Sequence, residues 1–260
     1  EAVNPIINAL LARPYHEARA EHEAADATIA AARAAGALAA LPPYLGVPCT
    51  IKECFALTGM PQSSGLVARK DVVATADATT VARLRAAGAI ALGVTNVSEL
   101  CMWYESNNRV YGRTNNPYDP SRIVDRASGG EVAIICAGGA PFGLGSDVGG
   151  SIRMPAFFNG VFGHKPTGGL VPGSGQYPTA HGESTRIVAT GPLCRRAEDL
   201  WPLVKILAGA DGLDEGATRM ALGDPADVRI DRLTVVDVED NGLNPVHREL
   251  KQAQQRVADS

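Results

Sequence analysis

The chain has 260 residues, a formal net charge of −4 at pH 7 and a sequence pI near 5.8. This acidic balance offers no electrostatic basis for binding nucleic acid or an anionic membrane surface. Hydrophobic residues make up 45% of the chain and charged residues 20%, which is typical of a soluble globular protein. No apolar run approaches the roughly 18 residues of a membrane-spanning helix, and no signal peptide is recognisable, so we expect no integral membrane segment.

The cysteine pattern indicates reduced thiols. Five cysteines are scattered along the chain, at positions 49, 54, 101, 136 and 194. They form no Cys-x-x-Cys pair and do not group with the histidines at a spacing typical of metal ligands. We therefore predict a cytoplasmic protein without a metal site. Since the chain begins at Glu1 and stops within a polar helical run, we also expect a fragment or a processed chain.

The N-terminal part is rich in alanine. Spaced apolar residues between positions 4 and 36 predict one or two helices, broken by Pro14 and closed by Gly36. Residues 45–55 predict a buried strand that contains Lys52. A charged lysine is costly to bury, so Lys52 either extends to water or loses its proton more easily. The strand alone favours a side chain that extends to water or forms a salt bridge.

Helices and strands then alternate, as is typical of an α/β protein. We predict helices at 79–88, 131–136, 151–158, 199–208 and 245–257, and strands at 89–94, 142–144 and 233–238. Asp77 or Thr79 is the expected N-cap of the first of these helices. Residues 95–119 form a long connection, and connections of this length often carry function.

Glycines are concentrated between positions 125 and 169. One glycine cluster usually marks a tight turn, but three in succession favour a functional site. Gly149-Gly150-Ser151 is the form expected where backbone amides surround a reactive hydroxyl, and a helix starting there would add unpaired N–H groups. The segment is neither a phosphate-binding loop nor the Gly-x-Ser-x-Gly turn of α/β-hydrolases, because Arg153 occupies the last glycine position.

Three motifs resemble the amidase signature family of serine amidases. They are Ile51-Lys52-Glu53, the turn at 128–131 and the segment at 145–153. Residues 99–108 and 154–167 are similar to the fatty acid amide hydrolase 2 branch of that family. The resemblance runs from about residue 45 to residue 209, and the three motifs occur in the family's order.

The resemblance implies an α/β/α fold in which helices flank a large mixed sheet, and the predicted alternation of elements agrees with it. We expect a helical segment at 1–40 and an amidase signature domain at 41–260. Because family members are much longer, we expect this domain to lack its C-terminal half. Neither the residues nor the resemblance suggests a cofactor. The expected ligand is a small-molecule amide, nucleic acid is not expected, and a homodimer is one candidate assembly.

The family's catalytic set is a lysine, a bridging serine and a nucleophilic serine. Ser151 matches the nucleophile and Lys52 matches the general base. The position of the bridging serine holds Ala127, which has no proton to relay, and Ser128 is a candidate substitute. The two glycines that precede the bridging serine in the family are Asp125-Arg126 here.

The resemblance also implies two sets of binding groups. Backbone N–H groups would form an oxyanion hole, in which preorganised donors stabilise a tetrahedral intermediate. These groups belong to Val148, Gly149, Gly150 and Ser151. The acyl pocket would be lined by Cys101, Met102, Trp103 and Tyr104.

Three functions stay open on the sequence alone. The leading one is a serine amidase that forms an acyl-enzyme on Ser151 with Lys52 as base, impaired by Ala127 because members of a relay act as a unit. The second is a catalytically inactive amidase-fold binding protein or an engineered inactive mutant. The third is the amidase subunit of a tRNA-dependent amidotransferase, which the Cys-Met-Trp-Tyr stretch disfavours.

Overall fold

The computed structural model describes residues 2–12 and 15–259. These form two compact units, Glu1–Met220 and Ala221–Ser260. The division does not coincide with the predicted boundary after residue 40, which stays a prediction. No helix in the described part of the chain is long and apolar enough to cross a membrane.

A six-stranded mixed sheet forms the centre of the first unit. The strands of the chain are β1 (Leu10–Ala12), β2 (Pro48–Lys52), β3 (Ile90–Thr95), β4 (Asn107–Asn108), β5 (Gly112–Arg113), β6 (Phe142–Asp147), β7 (Phe162–Gly163) and β8 (Ala189–Cys194). The order in the large sheet is β1-β3-β2-β6-β8-β7, and β4 and β5 form a separate pair. β2 runs parallel to both of its neighbours, whereas β1, β7 and β8 pair antiparallel.

Helices cover both faces of this sheet. The α-helices of the first unit are α1 (Asn4–Ile7), α2 (Tyr15–Ala34), α3 (Thr79–Ala86), α4 (Gly129–Cys136), α5 (Arg153–Asn159) and α6 (Leu200–Leu207), and the second unit contains α7 (Arg248–Ala258). One apolar cluster joins α3 and α6 to the strands, and another joins α4 and α5 to them. Leu193 and Cys194 belong to different clusters because successive strand residues point to opposite faces. The predicted sheet flanked by helices is confirmed.

The element predictions hold for α3 to α7 and for β2, β3 and β6. Gly36 follows α2 with a φ of +67°, as expected of a residue that closes a helix. Pro14, the predicted break between two helices, lies outside the described residues. The strand β1 was not predicted: the Asn4 side chain accepts N–H groups from Ala9 (3.0 Å) and Leu10 (2.8 Å) and turns the chain into the sheet.

Two further expectations are wrong. Residues 233–238 form no strand, because this apolar run is exposed (80% at Val235) and pairs with no neighbouring strand in the described chain. The N-cap of α3 is Ala78, which has no oxygen in its side chain. The Asp77 carboxylate instead accepts the Thr58 amide at 2.8 Å, and Thr79 donates its hydroxyl to Asp211 at 2.7 Å.

The sheet register brings the carboxyl ends of β2 and β6 together. Ile51 pairs with Leu144 in the parallel ladder, so Lys52 and Ser146 reach the same edge of the sheet. In open α/β sheets this edge is where ligands bind. The fold therefore gathers two of the three family motifs at one place.

Candidate active site

Lys52 ends β2 and is fully buried, with 0% of its surface exposed. Its Nζ donates to Ser146 Oγ at 2.9 Å and to the Ser146 carbonyl oxygen at 3.4 Å. The expectation from the strand alone, that this side chain extends to water or forms a salt bridge, is wrong for the described residues. The lysine amine is held at a fixed point, with Ser146 as its partner, so Ser146 is a site residue that sequence reasoning missed.

Glu131 lies on α4 behind this pair and is also fully buried. It accepts the hydroxyls of Thr50 (2.6 Å) and Thr95 (2.7 Å). Burial raises the pKa of Glu131 to about 7, although the two hydroxyls and the charge of Lys52 oppose the rise. The carboxyl therefore joins α4 to β2, which carries Lys52, and to the adjacent strand β3.

Asp147 organises the loop that follows β6. Its buried carboxylate accepts the N–H groups of Gly150 (2.8 Å), Ile152 (3.1 Å) and Arg153 (3.2 Å). It also accepts hydrogen bonds from Nε and Nη2 of Arg153, both at 3.0 Å. Burial opposes ionisation, but the guanidinium and the amides outweigh it and lower the pKa of Asp147 to about 2. Ser151 lies within the loop that this anion fixes.

Gly150 adopts a φ of +117°, and a Cβ there would lie 2.8 Å from Met154 Cγ. Glycine is the residue that takes this conformation without a side-chain clash. The Gly150 amide is occupied by Asp147, so it does not point freely at a ligand in this structure. The amides of Val148, Gly149 and Ser151 are the other predicted oxyanion donors, and the oxyanion hole stays a prediction.

Lys52 and Ser151 line one cavity of about 290 Å³. Ser146, Cys101 and Met102 form part of the same wall. Much of the remaining lining comes from one segment between β7 and β8: Gln176, Pro178, Thr179, Ala180, Ser184, Ile187 and Val188. No local motif in that segment could have identified it, because the fold alone brings it to the strand edge.

Two of the four predicted acyl-pocket residues lie outside this cavity. Leu100 and Cys101 have φ angles of 53° and 58°, and this turn directs the chain outward after Met102. Trp103 and Tyr104 are 63% and 59% exposed, and their ring centroids lie 5.9 Å apart in an edge-on contact.

Ala127 is fully buried, and its methyl group occupies the position predicted for the bridging serine. The neighbouring Ser128 donates its hydroxyl to the Ser146 carbonyl oxygen at 3.3 Å. Lys52 and Ser128 therefore meet at Ser146. In the described part of the chain, no side-chain hydrogen bond joins Ser151 to Lys52, Ser128 or Ser146.

Asp125 and Arg126 precede Ala127 with φ angles of 67° and 38°. Consecutive left-handed conformations are costly for residues that carry a Cβ. The Arg126 guanidinium lies 4.8 Å from the Tyr104 ring centroid and packs against Gly150. Arg126 Nε and Asp125 Oδ2 are 3.8 Å apart, and neither has a hydrogen-bond partner among the described residues.

Metal chemistry gains no support from the arrangement. Within residues 2–12 and 15–259, no group of three His, Cys, Asp or Glu side chains could hold a metal ion. All five cysteines are free thiols. The reactive groups at the strand edge are an amine, hydroxyls and one cavity thiol, a set suited to nucleophilic chemistry.

The family model for amidases matches residues 1–259, and the chain therefore belongs to the amidase signature family. It is 55% identical over 208 residues to fatty-acid amide hydrolase 2 of Homo sapiens, covering 80% of this chain and 39% of that protein. It is 48% identical over 262 residues to fatty-acid amide hydrolase 2-A of Danio rerio, covering 99% of this chain and 48% of that protein.

Solved structures agree with the family assignment. One solved structure matches this chain with a TM-score of 0.77 at 38% identity. It is the inhibitor-bound form of a vestigial protein complex that reveals the evolutionary origins of an s-triazine catabolic enzyme. The match covers 85% of this chain and 47% of that one. The chain spans less than half the length of each of these three relatives. The predicted resemblance to the amidase signature family is confirmed.

Proposed function

We propose that this chain carries the nucleophile and the base of a serine amidase, which cleaves a carboxamide C–N bond through an acyl-enzyme on Ser151. The observation that supports this most strongly is the shared cavity, which buried Lys52 and half-buried Ser151 both line within an amidase-family fold. Lys52 accepts the Ser151 proton and later returns a proton to the leaving amine. The amides of Val148, Gly149 and Ser151 stabilise the tetrahedral oxyanion.

Ala127 makes this turnover slow. With no hydroxyl at position 127, the proton has to pass from Ser151 to Lys52 through water or through Ser128. The Ser128 hydroxyl is directed to the Ser146 carbonyl oxygen, one position away from the family's relay. General acid–base transfer contributes roughly 10²–10⁴-fold to a rate, so we expect the loss to fall in this range.

The substrate class is a linear amide with an apolar acyl group. Met102, Ile187 and Val188 give the cavity apolar walls beside Ser151. The relatives named fatty-acid amide hydrolase 2 are consistent with such a substrate. Cys101 and Met102 are the proposed acyl contacts, while Trp103 and Tyr104 contact only a substrate that extends beyond the cavity.

The test is hydrolysis of a long-chain primary amide by the Ala127→Ser chain. We expect a gain of about 10²-fold or more over the unsubstituted chain, because the relay regains its hydroxyl. The control, Ala127→Ser combined with Ser151→Ala, should hydrolyse at the background rate.

A second candidate function is an amidase-fold protein that binds an amide without cleaving it, and Ala127 is the observation that favours it. If the Ala127→Ser chain binds the amide but gains no hydrolysis, this second function is the better account. Binding is measured by calorimetry with the same amide.

A further inference from the structure

Cys101 is the nucleophilic side chain that the proposed hydrolysis leaves unused. It is half-buried and lies in the wall of the cavity that Lys52 and Ser151 also line. The neighbouring Cys54 is fully buried. A molecule that enters the cavity therefore meets a cysteine thiol beside the serine hydroxyls and the Lys52 amine.

The fold holds this thiol in place. Cys101 Sγ lies 3.6 Å from Ser64 Oγ, and the amide of Leu100 donates to the Ser64 carbonyl oxygen at 2.7 Å. Ser64 is itself fixed, because its amide donates to the buried Glu53 carboxylate at 2.8 Å. The left-handed backbone at Leu100 and Cys101 is thus secured by a chain of contacts that starts in the core.

The groups around the sulfur favour its ionised form. A hydrogen bond from Cys54 lowers the pKa of Cys101, and the nearby charge of Lys52 and a hydrogen bond from Ser64 lower it further, against the effect of burial. Burial raises the pKa of Cys54. Among the described residues, Cys54 and Lys52 are the titratable groups that act on the Cys101 sulfur. Ser146 contacts both of them, at 2.9 Å to Lys52 and 3.9 Å to Cys54.

We propose that Cys101 is a covalent modification site for soft electrophiles of the α,β-unsaturated carboxamide class. The sulfur forms a C–S bond to the β-carbon, and the electron pair of the C=C bond moves onto the carbonyl as an enolate. The α-carbon then takes a proton from Lys52 or from water, and no group leaves. The carboxamide end of such a molecule suits a cavity in an amidase fold. The step needs neither the Ser151 hydroxyl nor a bridging serine, although it shares Lys52 and the cavity with the proposed hydrolysis.

The other thiols provide an internal comparison. Cys49 and Cys194 are buried, and burial raises the pKa of Cys194 to about 12. Cys136 is half-buried like Cys101, but it ends α4 and does not line the cavity. Cys136 is therefore the matched control within the same molecule.

The experiment exposes the full chain to N-phenylacrylamide over a pH series that spans the ordinary thiol pKa of about 8.5. Peptide mass spectrometry gives the labelling rate of each cysteine. Below that pH, we expect Cys101 to react about tenfold or more faster than Cys136, because each unit of lowered pKa raises the thiolate fraction about tenfold. The Lys52→Met substitution should slow Cys101 about tenfold and leave Cys136 unchanged, and Lys70→Met is the control for loss of a surface lysine.

Three results would overturn the proposal. One is a Cys101 rate equal to or below that of Cys136 in the unsubstituted chain. Another is an unchanged Cys101 rate in a Lys52→Met chain whose melting curve shows that it is folded. The third applies if that variant does not fold. In that case the labelling rates of Cys101 and Cys136 in the unsubstituted chain are compared across the pH series, and coinciding profiles would show that Cys101 does not react as a favoured thiolate.

Discussion

At the scale of single residues, the buried carboxyl of Glu131 has a strongly raised pKa. Among the described residues its partners are two threonine hydroxyls and the more distant charge of Lys52, with no salt bridge. Its pKa is raised from 4.5 to about 7, so the folded chain holds this proton more tightly than the unfolded chain. The stabilisation is therefore full below about pH 4.5 and is lost as the pH rises through about 7.

The substitution Glu131→Gln should remove this pH dependence. Across the full titration, the free energy of unfolding of the unsubstituted chain should lose up to about 3 kcal/mol from this group, and that component should vanish in the variant. Urea unfolding at pH values on either side of the interval measures it. The exposed Glu198→Gln is the control, and equal pH slopes for Glu131→Gln and the unsubstituted chain would contradict the assignment.

The strained pair before Ala127 is a second feature at this scale. Replacing Asp125 and Arg126 with glycine removes two side chains from left-handed backbone, and it also removes two buried polar atoms that lack hydrogen bonds. We expect the free energy of unfolding to rise by about 1 kcal/mol, after the added freedom of glycine in the unfolded chain is subtracted. Thermal melting measures the change.

A matched control introduces strain instead of removing it. Gly150→Ala places a Cβ at a φ of +117°, so its melting temperature should fall. A double-glycine chain that melts below the unsubstituted chain would show that the contact between Arg126 and Tyr104 outweighs the strain.

At the scale of elements, the turn from β6 into α5 depends on one anion. Asp147 accepts three backbone amides and the guanidinium of Arg153. Since its pKa is lowered from 3.8 to about 2, the stabilisation is present above about pH 3.8 and is lost as the pH falls towards 2. The position of Ser151 is thus an electrostatic consequence of a neighbouring carboxylate.

Asp147→Asn should therefore disturb the loop while the strands stay paired. We expect a loss of about 2–4 kcal/mol in the free energy of unfolding. The substitution removes the buried negative charge, while the amides and the Arg153 guanidinium that donate to it remain in place. Chemical denaturation measures the loss. Arg153→Lys keeps the charge but not the two-point contact, so it should cost less, and a larger cost for Arg153→Lys would contradict the central role of the carboxylate.

Elements could be predicted where the pattern is local. The helices α3 to α7 and the strands β2, β3 and β6 follow from apolar spacing and from glycine and proline boundaries. β1 could not be predicted, because three residues become a strand only when the Asn4 side chain turns them onto β3. Residues 233–238 have the composition of a strand. In the described chain no neighbouring strand pairs with them, and composition alone does not form a strand.

At the scale of the molecule, the sequence motifs identify the family and the sheet brings two of them together. Lys52 and Ser151 are far apart in the chain and reach one cavity because β2 and β6 are parallel neighbours. Ser146 and the 176–188 wall could not be predicted, because they carry no motif and gain their place from the fold. The homodimer, the cytoplasmic location and the absence of a cofactor stay predictions.

The most direct test of the central claim measures how fast a fluorophosphonate labels Ser151 in the Ala127→Ser chain, with and without Lys52→Ala. If Lys52 activates the nucleophile, the Lys52→Ala substitution should slow labelling by about 10²-fold or more. Lys70→Ala, which removes an exposed lysine, should change the rate little. Equal labelling rates with and without Lys52 would contradict the claim that this lysine is the base.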